Sequence, residues 1–317
     1  MQRPAPGRRC RGNAVTLALH LIALLNQGGP PIEPDRRVLV GDVTAFTDNA
    51  HVALATSLAQ AASVPHSWIG IGHVDAGQLL IVLARNGSEF ERWSRGRLPK
   101  WGAGAAFPGS GVILIRLDAG DPFQTLRHEL AHMVLHRNVR ERVPLWFDEG
   151  YAVLASQEYG RFAALRLNLA VAAGHLPDLR ALDGALRGDD LTAETAYALA
   201  GSAVDEIRRR SRNADLGTFM ALLERNVPFD DALHAGTGFT TETFEEAWQR
   251  SLRQRYNWVV WLATGGMWLL VSLALVWVAA MRRRREAPRR AALDVGWSLP
   301  PEDDETITIQ DVKSPST

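Results

Sequence analysis

Phe123-Gln-Thr-Leu-Arg-His-Glu-Leu-Ala-His-Met-Val-Leu-His-Arg137 and, a short loop later, Pro144-Leu-Trp-Phe-Asp-Glu-Gly-Tyr-Ala152 decide how this chain is read. Four residues of helix turn through about 400°, so His128 and His132 return to one face about 6 Å apart, where both imidazoles can reach one tetrahedral ion. Glu129 projects beside them, placed to act on a water at that ion. The flanking Leu126, Leu130, Met133, Val134 and Leu135 are apolar, so the spacing predicts a buried helix rather than two solvated histidines on a charged face. Buried imidazoles need partners. Glu149 follows His132 after sixteen intervening residues, enough for a loop and a return turn, and supplies a third protein ligand. The other known source of a third ligand on such a helix needs a glycine and then a histidine where this chain carries Leu135 and Asn138, and is excluded.

Outward from this stretch, Leu79-Leu-Ile-Val-Leu83 and Val112-Ile-Leu-Ile-Arg-Leu117 are β-branched runs bounded by Gly and Asp and predict strands. Arg37 to Gly41 predicts a shorter one, and Asp48 to Ala62 alternates on a helical period. Trp101 to Gly111 holds four glycines and Pro108 but no phosphate-loop lysine, and is expected to be a connecting loop. After Asp121-Pro122 the pattern turns helical: Phe123–Arg137, Pro144–Tyr159, Phe162–Ala173, Thr192–Arg210, Asp215–Asn226, Asp230–His234 and Thr241–Tyr256. Strands first and helices after predict an α+β fold, with a small N-terminal sheet and a mostly helical remainder.

The two ends read differently. Arg3, Arg8, Arg9 and Arg11, then the apolar Ala14–Leu25 and a Pro-rich exit, predict a signal peptide over residues 1–30. Trp258 to Met281 contains 24 residues without a charge, about 36 Å as a helix, and Arg282-Arg-Arg-Arg285 follows at once. This predicts one transmembrane helix (258–281), an extracytoplasmic domain (31–257) and a basic stop with a disordered cytoplasmic tail (282–317), in a single-pass protein of the cell membrane. The expected partners are therefore a lipid bilayer, through that helix, and a polypeptide substrate.

Composition narrows the chemistry. Lys plus Arg equals Asp plus Glu, at 35 each, so no net field draws the chain to nucleic acid, and none is expected as a partner. Apolar residues at 46% with 22% charged exclude disorder for the bulk of the chain. Cys10 is the only cysteine, which excludes an internal disulfide and a thiolate metal site. Any metal must be held by His, Asp or Glu.

The two quoted motifs resemble the gluzincin metallopeptidases, and among them the peptidase MA-like group, on His128-Glu-Leu-Ala-His132 and on the Pro-x-Trp-x-x-Glu-Gly-x-Ala pattern at Pro144–Ala152. The resemblance covers about Val112 to Leu252, helped more weakly by Tyr197, Leu216–Leu223 and Phe244–Trp248. It implies a zincin-type domain that hydrolyses peptide bonds, with His128, His132 and Glu149 on Zn2+ and Glu129 as general base. Tyr197 or His175 would stabilise the oxyanion. Asp148 departs from the serine common there; it either hydrogen-bonds a ligand histidine or faces solvent. His136, one turn past His132, either crowds the site or is a solvated or capping residue. A catalytically silent, polypeptide-binding scaffold on the same fold is the competing expectation. Intramembrane proteolysis is set aside, because Arg127, Arg137 and Arg140 flank the motif.

Overall fold

The computed structural model describes residues 36–96, 98–99, 101–157, 161–174, 176–188, 190–256 and 265–294, in two units, Met1–Trp258 and Val259–Thr317. The first opens with β1 (Arg36–Val40), β2 (Val43–Thr47), α1 (Val52–Ser63), a ribbon of β3 (His66–Trp68) and β4 (Gly72–Val74), then β5 (Leu79–Ala84), α2 (Gly87–Ser94), β6 (Gly104–Phe107) and β7 (Val112–Arg116). Five of these strands form one sheet in the order β1-β2-β5-β7-β6. Strands β2, β5 and β7 run parallel, and the antiparallel β1 and β6 are its edges.

The apolar runs at β5 and β7 are continuous because these strands are covered on both faces. Ile81, Leu83, Ile113 and Ile115 enter the main core with Ala55, Leu58 and Leu126. Ala84 and Leu114 turn the other way, to Phe90 of α2 and Ala105 of β6.

Five elements in this half, β2, β3, β4, α2 and β6, were not among those expected, and two of them are instructive. Residues 104–107, expected as loop, form the edge strand β6, paired with β7 from Gly104 opposite Ile115 to Phe107 opposite Val112. Gly-Ala-Ala-Phe has little strand preference of its own; tertiary pairing sets its conformation. Helix α2 was signalled only by Asn86 and Glu89 three residues on, and the Asn86 side chain does accept from the Glu89 backbone N–H, at 3.1 Å.

The helical half comprises α3 (Pro122–Asn138), α4 (Leu145–Ala155), α5 (Arg161–Ala172), α6 (Leu179–Ala185), α7 (Asp190–Arg210), α8 (Gly217–Glu224), α9 (Phe229–Thr237) and α10 (Thr241–Arg255). Asp121 caps α3 by accepting from Phe123 N–H at 2.9 Å, with Pro122 in the first turn. Helix α4 begins after Pro144 without a side-chain cap from that position. The cap comes from α6, where Asp183 accepts from Trp146 N–H at 2.7 Å.

Each residue of the α4 motif has a separate task. Trp146 and Phe147 are buried among Phe219, Phe229 and Phe244, with the Phe147 ring 5.4 Å from Phe219 and 5.2 Å from Phe229. Gly150 lets α4 press on α7, since a Cβ there would lie 2.4 Å from the Ala200 carbonyl oxygen. Tyr151 is buried and donates its hydroxyl to the Ile69 carbonyl at 3.1 Å. Asp148 and Glu149 are left to face α3.

In the second unit α11 (Met267–Asp294) is described. Among the described residues no helix is long and apolar enough to cross a membrane. The uncharged part of α11, Met267 to Met281, would rise only about 22 Å before the arginines begin, against a hydrocarbon core of about 30 Å. The rest of the expected span, 258–264, lies outside the described residues, as do the expected signal peptide (1–30) and the end of the tail.

Candidate metal centre

Helices α3 and α4 bring three donors to one point. His128 Nε2 and His132 Nε2 are 3.2 Å apart, and each is 3.5 Å from Glu149 Oε2. Three ligand atoms of a tetrahedral zinc, at bond lengths of about 2.0–2.1 Å, stand about 3.3 Å from one another. The three contacts therefore outline one face of such a tetrahedron. Two imidazole nitrogens and a carboxylate oxygen also suit zinc chemically, so the residues present fit this ion.

The surroundings orient the donors. Asp148 Oδ1 lies 2.7 Å from His132 Nδ1, which makes Nδ1 the donor and leaves Nε2, toward the shared point, as the nitrogen whose proton a cation could displace. Of the two roles open to Asp148, the hydrogen bond to a histidine is the one the structure contains. Its other oxygen lies 2.7 Å from His136 Nε2. His136 thus stands behind Asp148 rather than among the three donors.

In the metal-free cluster the carboxylates and His132 each favour the other's charged form. Burial disfavours the Glu149 carboxylate, but the adjacent His132 and His128 outweigh it and hold its pKa down to about 2. Asp148 is likewise held well below the usual carboxylate range, His132 and His136 overcoming its burial. Burial alone would depress His132, yet Asp148 and Glu149 raise it well above the ordinary histidine value. A divalent cation at the shared point would take the place of that proton.

Glu129 follows His128 on α3 and is buried. Edge strand β6 fixes its position: a Cβ on Gly104 would lie 2.6 Å from Glu129 Oε1 and 2.5 Å from Thr125 Cγ2. Tyr197, from α7, sets its ring edge-on to His128 with centroids 6.1 Å apart. His175 lies outside the described residues.

One neighbour of the site was not read from the sequence. Trp101 meets the Tyr197 ring edge-on at 6.2 Å and donates its indole N–H to the Gly188 carbonyl at 3.2 Å. It links the segment before β6 to the segment before α7. A lone tryptophan in a glycine-rich stretch carries no spacing signal that would have marked it.

A sequence model of the Peptidase MA superfamily matches residues 97–254, from the segment before β6 to the end of α10. This domain belongs to the Peptidase MA superfamily. No curated protein matches the chain. Membership places the domain with peptidase-type hydrolases, and the matched span contains both α3 and α4 with the complete His128, His132 and Glu149 group. As a peptidase MA domain it is gluzincin-type.

Proposed function

We propose that this chain is a zinc-dependent metallopeptidase that hydrolyses peptide bonds in a polypeptide substrate. The observation that carries the reading is the triangle of His128 Nε2, His132 Nε2 and Glu149 Oε2, with sides of 3.2, 3.5 and 3.5 Å. When bound there, zinc supplies Lewis acidity to a carbonyl and makes a water acidic enough to be deprotonated near neutral pH.

The protein's own residues divide the remaining work. His128, His132 and Glu149 hold the ion, and Asp148 keeps the His132 lone pair aimed at it. The Glu129 carboxylate takes a proton from the attacking water and returns it to the leaving amine nitrogen. Its burial beside Gly104 keeps bulk water from competing for that proton. Tyr197, next to His128, donates its hydroxyl to the developing oxyanion. Strand β6 favours a polypeptide substrate, because it is the sheet edge beside Glu129 and an extended chain can add to such an edge through main-chain hydrogen bonds.

The same proposal includes the bilayer. The uncharged run at 258–281 followed by four arginines supports a single-pass anchor, with the peptidase domain outside the cytoplasm and the C-terminus within it. The large apolar side chains of α11, Trp268 and Trp277 among them, are exposed, as a lipid-facing helix requires.

Metal analysis coupled to hydrolysis of a casein or peptide library tests the reading. About one zinc per chain is expected, with activity lost to a chelator and restored by zinc. A protein that cleaves equally well after its metal is stripped would overturn it. For the anchor, protease added outside cells should cut the domain and spare the C-terminal tail; a protected domain would reverse the topology.

A further inference from the structure

We propose that His136 is a positioning residue for the ligand His132, acting through Asp148 and never touching the ion. The proposal rests on the reading that His128, His132 and Glu149 hold zinc. The helix supplies the geometry. From His128 to His132 to His136 each step of four residues carries the ring about 40° further round α3. The third histidine therefore shares the stripe but points away from where the first two and Glu149 meet.

What it meets instead is the far oxygen of Asp148. His136 Nε2 lies 2.7 Å from Asp148 Oδ2, and Asp148 Oδ1 lies 2.7 Å from His132 Nδ1. The carboxylate is therefore held at both oxygens by two rings of the same helix. Rotation about the last bond of an aspartate is soft, so a carboxylate held at one oxygen can swing its acceptor out of line. The contact to His136 removes that freedom. Oδ1 then stays in line with the His132 Nδ1 proton, and the opposite nitrogen stays aimed at His128 and Glu149.

Exposure fits a supporting role. The His136 side chain is 36% exposed while those of Asp148 and His132 are 18% and 12% exposed. His132 and the carboxylate are largely enclosed, and the outer histidine closes the row at the rim. Its replacement leaves the core untouched.

Zinc affinity of the full chain, measured against a chromophoric chelator, tests this with two substitutions. His136→Phe keeps the bulk and loses the hydrogen bond; His136→Gln offers an amide N–H close to where Nε2 stands. Phe is expected to weaken zinc binding by about 10-fold, and Gln to return it to within about threefold of the parent. In an Asp148→Ala background, His136→Phe is expected to change nothing further, because the path to His132 is already cut. Parent-like affinity in His136→Phe, equal loss in Phe and Gln, or a full additional loss without Asp148 would each overturn the proposal. So would a second zinc in the parent that disappears with His136, since His136 would then be a ligand. A parent that takes up no zinc sinks the metal reading itself, whereas a zinc-bound parent with an unaffected His136→Phe sinks only this inference.

Discussion

Two clusters of enclosed carboxylates among the described residues are neutralised in opposite ways. On α7, Asp205 and Glu206 are buried and answered by arginine: Arg208 Nε and Arg209 Nε lie 2.9 and 2.7 Å from Asp205, Arg210 Nε lies 2.7 Å from Glu206, and Arg255 also reaches Glu206. At the α3–α4 junction, the partners of Asp148 and Glu149 among the described residues are histidines. Guanidinium charge is permanent and offers no lone pair, so the α7 cluster is closed to any further cation. Imidazole gives up its proton and then becomes a ligand. What distinguishes a site that can exchange protons for a metal from a structural clamp is therefore the cation, not the buried acid.

Substitutions at the two clusters should separate along that line. The largest effect is expected from Glu129→Gln, which leaves all three donors in place: zinc content stays near that of the parent while hydrolysis falls on the order of 10³-fold or more. Loss of metal together with activity would move Glu129 from base to ligand. Next, Glu149→Ala removes one of three donors and is expected to lower zinc affinity by at least about 100-fold, with activity following. Zinc held as tightly as in the parent would mean that the third donor lies elsewhere.

At the arginine cluster, Glu206→Gln is expected to cost about 2 kcal/mol in stability, because Arg210 and Arg255 keep partial solvent access and are only partly stranded. Zinc content should not change. A metal defect without a stability defect would break the comparison.

The smallest effect concerns pH. In the metal-free protein His132 is raised above its ordinary 6.5, so the stability it lends is complete below that value and is lost as pH rises through its folded pKa. Glu149 is lowered from 4.5 to about 2, so its share is present above 4.5 and is lost as pH falls toward 2. Stripped protein should therefore be most stable between those limits. On the proposed reading zinc would replace the His132 proton, so the gain in melting temperature on adding zinc should grow from pH 6 to pH 8. A gain independent of pH would mean that no proton leaves.

The site was more legible than the fold around it. His128, Glu129, His132 and Glu149 announce themselves through helical spacing and apolar flanks, because local periodicity and metal geometry both act within a few turns. Strands β5 and β7 were legible for a similar reason, as apolar runs covered on both faces. Gly104–Phe107 was read as a loop because its strand character comes from β7, and α6 was missed because seven residues carry too little periodicity. Its Asp183 is nonetheless the cap on α4. The contacts that place the motif helices, from Asp183, Trp101 and Gly188, arrive from distant parts of the chain, and nothing in local spacing encodes them.

Strand β6 also sets a tolerance. With Gly104 resting on Glu129 at a distance that leaves no room for even a methyl group, the sheet acts as a gauge block against which the proposed base is aligned. The helix provides the residue, but its final coordinate is inherited from the stiffness of five hydrogen-bonded strands. The placement of the Glu129 carboxylate is thus borrowed from the sheet, and any drift of that edge would be felt first as misalignment there.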